Sequence, residues 1–583
     1  MDGGFRRSPQ RVWTRILSLQ KMEREKHKRK RKDYAVQKRM RAHSFAACLT
    51  LCGIFVGCQF SNQTEPKPND VPLTSSVVWL VCEDQSLFMP MYGDSLAHMP
   101  NVQSLAEEGT TFDHFFSVAP VCAPSRSSIL TGLQPSFLGT HHMRAYQKTE
   151  SEVNKHTGLP LYSAPAPEGV KAFTEHLRMQ GVYCTNNAKE DYNFLTPPLA
   201  WDATSKDAHW RNRPQGSPFF SVFNFNVSHE SQIWKRADSP CDISPHDVVV
   251  PPLLPDEGQV RVDLATNYCN LQELDRQIGQ VLTQLKEDGL YEQTTVVFYS
   301  DHGGPFPRFK RALSDAGLRV PLIIKWGHSP EKPSRNPNMH SFLDLAPSVL
   351  AWMGLTPPKT MSGIPITPNG KGHSEVYGAS DRFDEQLDRR RTIRTAAWRL
   401  VRNDFPEKPQ GLELAYRQRM NTTQVIDSLA AKEIQPWYTW KRGRRGSFEL
   451  YHTSEDPWEL NDLSNEAAYA DTLIALQKKL ELAFSKERDL GLMEETTLIS
   501  MFEKRTAQDE LKQAKLANAD AGLTVMHENP NVSLGWRSLG EKTWHITSNG
   551  KVINPPRDAV ALELLAARIG WPTQQTTARI PRR

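Results

Sequence analysis

The segment SSVVWLVCED (residues 75–84) places two acidic residues directly after a mostly apolar run. That run has the length of a strand and is rich in β-branched side chains, so it predicts a buried strand. Glu83 and Asp84 then lie at the carboxyl end of the strand. Ligands bind at this edge in open α/β sheets. The segment therefore predicts an α/β sheet, with a ligand site at the carboxyl end of this strand.

Further strand-length apolar segments occupy residues 181–187, 218–226, 294–300 and 319–326. They alternate with helical patterns, including a short helix that begins near Val102 and ends at Gly109. A long helix is predicted between two of the strands, with one apolar face: Leu264, Tyr268, Leu271, Leu274, Ile278, Val281 and Leu285. The alternation predicts an α/β domain with a large, mixed, mostly parallel sheet between layers of helices.

The predicted domain organisation has four parts after the N-terminal region. Residues 75–370 form the α/β domain, and residues 371–490 form a smaller α/β subdomain. Residues 491–521 are polar and rich in alanine, which predicts a helical linker. Residues 522–583 read as a small β module with a tail, similar to the β-sandwich module appended to chitobiase-type glycosidases.

Charge is distributed unevenly along the chain. Residues 1–43 contain 15 of the 71 Lys and Arg residues and 4 of the 66 Asp and Glu residues. The rest holds 56 basic and 62 acidic side chains, a net charge of −6 against +5 for all 583 residues. A negative main body excludes nucleic acid as an expected partner.

An uncharged segment, residues 44–57, follows the basic one and precedes Cys58. It is too short to span a bilayer and has the length of the apolar region of a signal peptide. Residues 1–58 therefore resemble a basic extension with a bacterial lipoprotein signal, lipidated at Cys58, and residues 59–74 are a linker. Ordinary cleavage and an uncleaved anchor are the alternatives. We expect an exported protein, periplasmic or attached to the outer membrane of a Gram-negative bacterium by lipid alone, or secreted if the signal is cleaved without lipidation.

The cysteines beyond the signal show neither zinc-binding spacing nor a dense disulfide framework. They are Cys82, Cys122, Cys184, Cys241 and Cys269. One disulfide is compatible with export, but the spacing does not determine its pairing.

Three predicted strands end in polar clusters: Glu83 and Asp84, then His229, then Asp301 and His302. Acidic pairs that meet at one sheet edge repel each other unless a cation neutralises them. Carboxylates with an imidazole suit a hard divalent ion such as Ca²⁺ or Mg²⁺. Each pair alone is compatible with a solvated turn, but the two together predict a metal site.

Residues 122–132, CAPSRSSILTG, are similar to the signature C-x-P-S-R-x-x-x-L-T-G of formylglycine-dependent sulfatases, a family of the alkaline phosphatase superfamily. Similar blocks follow the family's order at residues 92–94, 99–101, 105–112, 300–303, 317–322, 342–347 and 449–457. The resemblance covers roughly residues 75 to 485 and extends to bacterial polysaccharide and glycosaminoglycan sulfatases. It implies the alkaline-phosphatase-like fold.

The resemblance also implies site residues and a modification. Cys122 would be oxidised to formylglycine (3-oxoalanine) by a maturation enzyme, and its hydrate would be the nucleophile. One hydroxyl of the hydrate attacks sulfur and the second later expels the sulfate. The implied metal ligands are Glu83, Asp84, modified Cys122, Asp301 and His302, with Ca²⁺ expected and Mg²⁺ as the alternative. Arg126 would hold the nucleophile and the metal carboxylates, Lys310 and Lys189 would bind sulfate oxygens, and His229 would protonate the leaving alcohol.

This chain departs from the family pattern at two places. Glu83 stands where aspartate is usual, and Asp191 stands where a histidine is usual. Asp191 is therefore a candidate base for the collapse of the intermediate. Sugar-binding candidates are His141, His142, Arg144 and Arg382, for which loop salt bridges are the alternative interpretation.

These features predict a metal-dependent sulfatase that acts on a sulfated carbohydrate outside the cytoplasm. Algal galactans, ulvan and glycosaminoglycans are all compatible substrates. A phosphonate or phosphodiester hydrolase of the same superfamily is the alternative enzyme. A glycan-binding lipoprotein without activity is the alternative from another functional class.

Overall fold

The computed structural model describes residues 76–147, 151–327, 333–486, 488–502, 515–519, 522–526, 532–542, 544–547, 561–567 and 574–579. The predicted signal and linker, residues 1–74, lie outside these ranges. Within the described ranges, the helices are all too short or too polar to cross a membrane.

The main sheet has nine strands and confirms the predicted α/β class. In spatial order eight of them run β4-β3-β5-β1-β6-β8-β2-β7, and β9 also pairs with β2. Pairings among β4, β3, β5, β1 and β6 are parallel, as is β2 with β9, whereas β8 and β7 are antiparallel to their neighbours. The strands are β1 Ser76–Cys82, β2 Thr110–Phe116, β3 Tyr183–Asn187, β4 Ala203–Thr204, β5 Phe219–Phe225, β6 Thr294–Ser300, β7 Arg319–Val320, β8 Leu322–Lys325 and β9 Ser334–Ser341.

Strand β1 occupies the middle of this sheet and is covered on both faces. Val78 and Leu80 point into one apolar core, and Trp79 points into the other. Such two-sided burial explains why the segment is continuously apolar rather than alternating. The Trp79 ring meets the rings of Phe220 and Tyr299 edge to face, so the aromatic side chains of three adjacent strands interlock.

Helices lie on both faces of the main sheet. The long helix packs its predicted apolar face against the core that contains Val78, which confirms that prediction. The helices are α1 Pro100–Glu107, α2 Cys122–Thr131, α3 Pro135–Leu138, α4 Phe173–Arg178, α5 Glu230–Lys235, α6 Gly258–Glu287, α7 Asp315–Leu318, α8 Leu345–Trp352, α9 Asn421–Ala431, α10 Trp437–Arg442, α11 Ala470–Lys486 and α12 Glu495–Phe502.

The sequence did not predict three strands of the main sheet: β2, β9 and the two-residue β4. Strand β2 contains charged and polar residues, and its middle residues are only partly buried. Strand β9, with the sequence SRNPNMHS, has almost no apolar pattern. The segment 319–326 was predicted as one strand but is divided at Pro321, which cannot donate a ladder hydrogen bond.

A second, antiparallel sheet carries the C-terminal subdomain. Its strands are β10 Glu375–Phe383, β11 Gln386–Thr395, β12 Trp398–Asn403 and β13 Phe448–His452, paired in that order. Helix α11 covers one face, where Leu476 and Leu480 contact Ile393, Leu400 and Leu450. This part of the chain thus combines an antiparallel sheet with a covering helix.

The described C-terminal residues are mostly β-structure. The strands are β14 Lys515–Ala519, β15 Gly522–Met526, β16 Ser533–Ser538, β17 His545–Ile546, β18 Ala561–Ala567 and β19 Gln574–Arg579. The predicted helical linker over 491–521 contains helix α12, but the prediction is wrong for Lys515–Ala519, which pairs with Gly522–Met526 as an antiparallel hairpin. Strand pairing overrides the helix propensity of this alanine-containing segment.

One disulfide joins Cys241 to Cys269, linking the loop before the long helix to the helix itself. Cys82, Cys122 and Cys184 are free and buried. The pairing that the sequence left open is thus assigned by proximity in the fold.

Candidate active site

The register of the central strands brings the predicted acidic pairs together. Cys82 on β1 is paired in register with Ser300 on β6 and with Phe225 on β5. The residues that follow these three strands therefore leave the sheet side by side. The Asp84 amide donates a hydrogen bond to Asp301 Oδ1 at 3.1 Å, which ties the two acidic segments to each other.

Two overlapping groups of side chains could hold a cation, and they share Asp84 and Cys122. One adds Glu83 and His229 and the other adds Asp301 and His302. Within each group the ligand atoms lie within 4.8 Å of one another. The structure thus brings all five predicted metal-ligating residues to one place.

The orientation of the His302 ring fits a role as a ligand. Its Nδ1 donates to the Gly303 carbonyl at 2.9 Å, so Nε2 is left to face Asp84 Oδ1 at 3.0 Å. Burial disfavours the charged imidazole, yet the negative groups Asp301, Cys122 and Asp84 raise the pKa of His302 to about 10. The cluster therefore carries excess negative charge, which a proton or a cation must neutralise. Its donors, carboxylates with one imidazole, fit a divalent metal.

Cys122 is the first residue of helix α2, where the helix dipole favours negative charge. Its Sγ lies 3.2 Å from His302 Nε2 and 3.8 Å from Lys310 Nζ. Burial opposes the thiolate, but Lys189 and Lys310 together lower the pKa of Cys122 to about 7. The position is therefore suited to a nucleophile or to its modified form.

Three buried or partly buried cations surround this centre. Lys310 Nζ lies 2.7 Å from Asp84 Oδ2, and Lys189 Nζ lies 2.6 Å from Glu83 Oε2. Arg126 Nε donates to Asp301 Oδ2 at 3.0 Å, so it holds a predicted metal carboxylate as expected. Positive charge is thus placed where a sulfuryl group would bring negative oxygens.

His229 caps helix α5 and faces the same centre. Its Nδ1 accepts the Ser231 amide proton at 3.2 Å, which leaves the proton of the neutral ring on Nε2. That Nε2 lies 3.4 Å from Lys310 Nζ and 3.8 Å from Asp84 Oδ2. Burial lowers the pKa of His229, but the negative charge of Asp84 raises it, and the pKa is raised overall. A protonated Nε2 at this position is suited to a general acid.

Asp191 lies at the outer edge of the centre, with its side chain one-third exposed. Its Oδ2 is 3.9 Å from Lys189 Nζ. Asp191 and Asp84 both have φ in the left-handed region, at 52° and 55°. Strained backbone of this kind collects at functional sites, where the surrounding fold must hold it in place.

Two glycines bring Lys310 back to the site. A Cβ atom on Gly303 would overlap the Ala316 carbonyl oxygen, and one on Gly317 would overlap that of Ala312. The Gly303 amide instead donates to the Gly317 carbonyl at 2.9 Å. This close backbone approach closes the loop between them, and Lys310 stands within that loop.

Sequence reasoning missed a buried carboxylate, Glu230, beside these residues. It contacts Lys310 at 3.0 Å and Arg311 at 3.1 Å, and Arg311 also contacts Asp384. The cations Arg311 and Lys310 hold the pKa of Glu230 far below its usual value against the effect of burial. The only sequence signal for this pair is that Glu230 directly follows the predicted site residue His229 and Arg311 directly follows Lys310.

The predicted sugar-binding residues lie in two different environments. His141, His142 and Arg382 are 2%, 1% and 3% exposed, and Arg382 pairs with Glu495 at 2.7 Å. These three side chains are enclosed by protein, and the ion pair of Arg382 fits the alternative interpretation of a structural salt bridge. Arg144 remains partly exposed, pairs with Asp384 at 3.1 Å, and stays a candidate.

Comparisons with known proteins agree with this geometry. Residues 75–355 match the family model described as Sulfatase. An ulvan-active sulfatase of Formosa agariphila is 35% identical over 546 residues, which cover 86% of this chain and 90% of that protein. Human N-sulphoglucosamine sulphohydrolase is 27% identical over 69% of this chain and 88% of its own.

A solved structure described as a 2-O GAG sulfatase shares the fold. It has a TM-score of 0.52 and 15% identity, over 71% of this chain and 93% of that one. This chain belongs to the sulfatase family and is a sulfuric ester hydrolase.

Proposed function

We propose that the protein hydrolyses sulfate esters of a sulfated polysaccharide or of its oligosaccharides. The observation that carries the proposal is the position of Cys122 at a helix N-terminus, within 4 Å of His302 and Lys310. The similarity to an ulvan-active sulfatase supports a polyanionic algal polymer such as ulvan, with galactans and glycosaminoglycans as the other candidates.

The nucleophile in this proposal is residue 122 after oxidation of its thiol to formylglycine by a maturation enzyme. In the hydrated aldehyde one hydroxyl oxygen bonds to sulfur while the bond from sulfur to the sugar oxygen breaks. The second hydroxyl then loses its proton and re-forms the aldehyde, which breaks the bond between carbon and the sulfate oxygen. A serine would complete only the first half, because it lacks the second hydroxyl.

Glu83, Asp84, residue 122, Asp301 and His302 would hold a Ca²⁺ ion, with Mg²⁺ as the alternative. When bound, the metal would lower the pKa of the attacking hydroxyl and neutralise negative charge on the sulfate. Arg126 keeps Asp301 oriented through its 3.0 Å hydrogen bond.

The remaining steps belong to side chains of this chain. Lys310 and Lys189 bind the non-reacting sulfate oxygens and offset charge that grows in the transition state. His229 gives the proton on Nε2 to the departing sugar oxygen. Asp191 accepts the proton of the second hydroxyl when the sulfated intermediate collapses.

The test is sulfate release from a panel of ulvan, galactan and glycosaminoglycan oligosaccharides. Peptide mass spectrometry of the same preparation measures formylglycine at residue 122, and Cys122→Ala is the control. Release that requires residue 122, is lost with a chelator and returns with Ca²⁺ or Mg²⁺ is the expected result. Full conversion of residue 122 with turnover of phosphoesters alone would contradict the proposal and favour the phosphoester alternative, while no turnover of either class would favour binding without catalysis.

We also propose that the protein is exported and anchored by lipid at Cys58. The basic segment, the short apolar segment and the cysteine that follows it support this. Mass spectrometry of the N-terminal peptide from native membranes would detect the lipid. Cys58→Ser should move the protein to the soluble fraction, and an unchanged membrane fraction would contradict lipidation.

A further inference from the structure

A cavity adjoins the active site on the side of the C-terminal sheet. Its volume is about 90 Å³, and its lining includes Lys310, Arg308, Arg417, Tyr451 and Trp458. A single water needs only about 15 Å³, so the cavity has room for several waters or one small oxyanion. Gln386 and Gln410 also line the cavity and are not buried. We call this space the arginine cavity.

Most charged groups that line the arginine cavity are paired. Lys310 and Arg311 share Glu230, and Arg390 contacts Glu449 at 3.2 Å. The carboxylates have cations of their own as well. Arg445 contacts Asp388, and Arg399 donates to Glu459 at 2.9 Å. These pairs leave no acidic group of the lining free for another cation.

Arg417 is a cation without such a partner. It is 5% exposed, and within the described part of the chain it forms no ion pair with a carboxylate. One guanidinium nitrogen donates to the Lys310 carbonyl at 2.8 Å, whereas Nε is buried and lacks a hydrogen-bond partner among the described residues. Burial and the charge of Arg311 lower the pKa of Arg417 to about 10, so it stays charged at neutral pH. An unpaired buried charge is costly unless a ligand compensates it.

Arg308 is the second unpaired cation of the cavity. Its guanidinium stands 5.9 Å above the Trp437 ring, and no carboxylate among the described residues pairs with it. Its φ of 67° lies in the left-handed region, which is unusual for a residue with a side chain. Arg308 and Arg417 are thus two arginines of one cavity that lack an acidic partner among the described residues.

We propose that the arginine cavity is a second anion-binding subsite, which takes a small oxyanion such as a sulfate or a carboxylate between Arg308 and Arg417. Guanidinium groups bind such anions through paired, charge-assisted hydrogen bonds. The oxyanion is either a free ion or a second acidic group on the sugar, and the latter source rests on the proposed function. Because Arg417 is bonded to the Lys310 backbone, occupancy would also steady the segment that carries a sulfate-binding lysine.

The first test measures binding without catalysis. The melting temperature of the full chain is recorded in sodium sulfate and in sodium chloride of equal ionic strength, for wild type, Arg308→Gln, Arg417→Lys and the control Arg276→Gln. Arg276 is an exposed arginine of the long helix that pairs only locally, with Glu273. Wild type and the control should gain stability in sulfate, and both cavity variants should lose at least half of that gain. Equal gains in all four proteins would overturn the proposal.

The second test separates the two sources of the oxyanion. The value of KM is compared for an aryl sulfate and for an oligosaccharide that carries one sulfate ester and a second acidic group. Arg308→Gln should raise KM about tenfold for the oligosaccharide alone if the second group enters the cavity, as expected for one lost charge-assisted contact. If the KM for the oligosaccharide is unchanged but the increase in melting temperature in sulfate is reduced, the cavity binds a free ion. If no substrate is turned over, the melting data still decide the subsite independently of the proposed function.

Discussion

Two polar clusters with histidines lie close together in this protein, and they differ in access to solvent. The catalytic cluster, which contains Cys122, His229 and His302, has a buried floor but is bordered by Lys189 and Asp191, whose side chains are 23% and 33% exposed. The enclosed cluster, which contains His141, His142 and Arg382, is sealed by Glu495. Both have residue types that favour a functional interpretation. The catalytic cluster has the more exposed border, so residue type alone does not distinguish the two clusters.

The largest effect is expected for Asp301→Asn in the catalytic cluster. In the proposed mechanism Asp301 is a metal ligand, and its loss removes several kcal/mol of transition-state stabilisation, so sulfate release should fall at least about 1000-fold. Added Ca²⁺ or Mg²⁺ should raise the melting temperature of wild type but not of the variant. A variant that keeps both activity and metal stabilisation would remove Asp301 from the metal site.

In the enclosed cluster, Arg382→Met should cost stability instead of activity. It leaves Glu495 without its bidentate partner and frees the Met143 and Asp384 carbonyls that Arg382 now binds. We expect the free energy of unfolding to fall by about 3 kcal/mol, as for a broken buried ion pair. Denaturant unfolding measures it, with Arg276→Met in an exposed pair as a control that should change by under about 0.5 kcal/mol.

The KM of folded Arg382→Met for oligosaccharides gives the matching activity readout. It should equal that of wild type, because the side chain is enclosed. A large increase in KM with unchanged stability would place Arg382 in the sugar-binding surface and break the contrast between the clusters.

His229→Gln should lower activity in a way that depends on the leaving group. A general acid contributes about 100-fold or more when the departing alcohol is weakly acidic, and far less when it is a nitrophenol. The variant should therefore lose about 100-fold in kcat on sugar sulfates but little on nitrophenyl sulfate. His209→Gln, a partly exposed histidine that contacts Gln284, serves as the control. Equal losses on both substrates would contradict proton donation by His229.

The smallest effect concerns pH and the enclosed cluster. Burial and the charge of Arg391 lower the pKa of His141 to about 3 in the folded protein. In the unfolded chain the pKa of a histidine is about 6.5. Protonation thus favours the unfolded chain, so this contribution to stability is complete above pH 6.5 and is lost as the pH falls. In His141→Leu the loss of unfolding free energy between pH 6.5 and 5.5 should be smaller by about 1 kcal/mol. Identical pH profiles of the two proteins would show that His141 is not titrating as a buried neutral group.

Much of the catalytic cluster was predictable because its residues follow apolar strands or lie in a dense motif. Parallel strands end at a common edge, so Asp84 and Asp301 had to meet once β1 and β6 were neighbours. Strands β2 and β9 were not predictable, since they lack an alternating pattern and are defined by their pairing. Glu230 was missed because its role depends on Lys310 and Arg311, which lie about 80 residues away along the chain.

By itself, the sequence determined the α/β class, the order of the elements that carry chemistry, and the residue types of a sulfatase nucleophile and metal site. These features follow from local patterns, because a few neighbouring residues are enough to indicate a buried strand or a motif. Only the tertiary structure decided which histidines are open, which cysteines pair, and which arginines lack a partner. Accessibility and charge pairing depend on contacts between distant segments, as between Arg382 and Glu495, 113 residues apart.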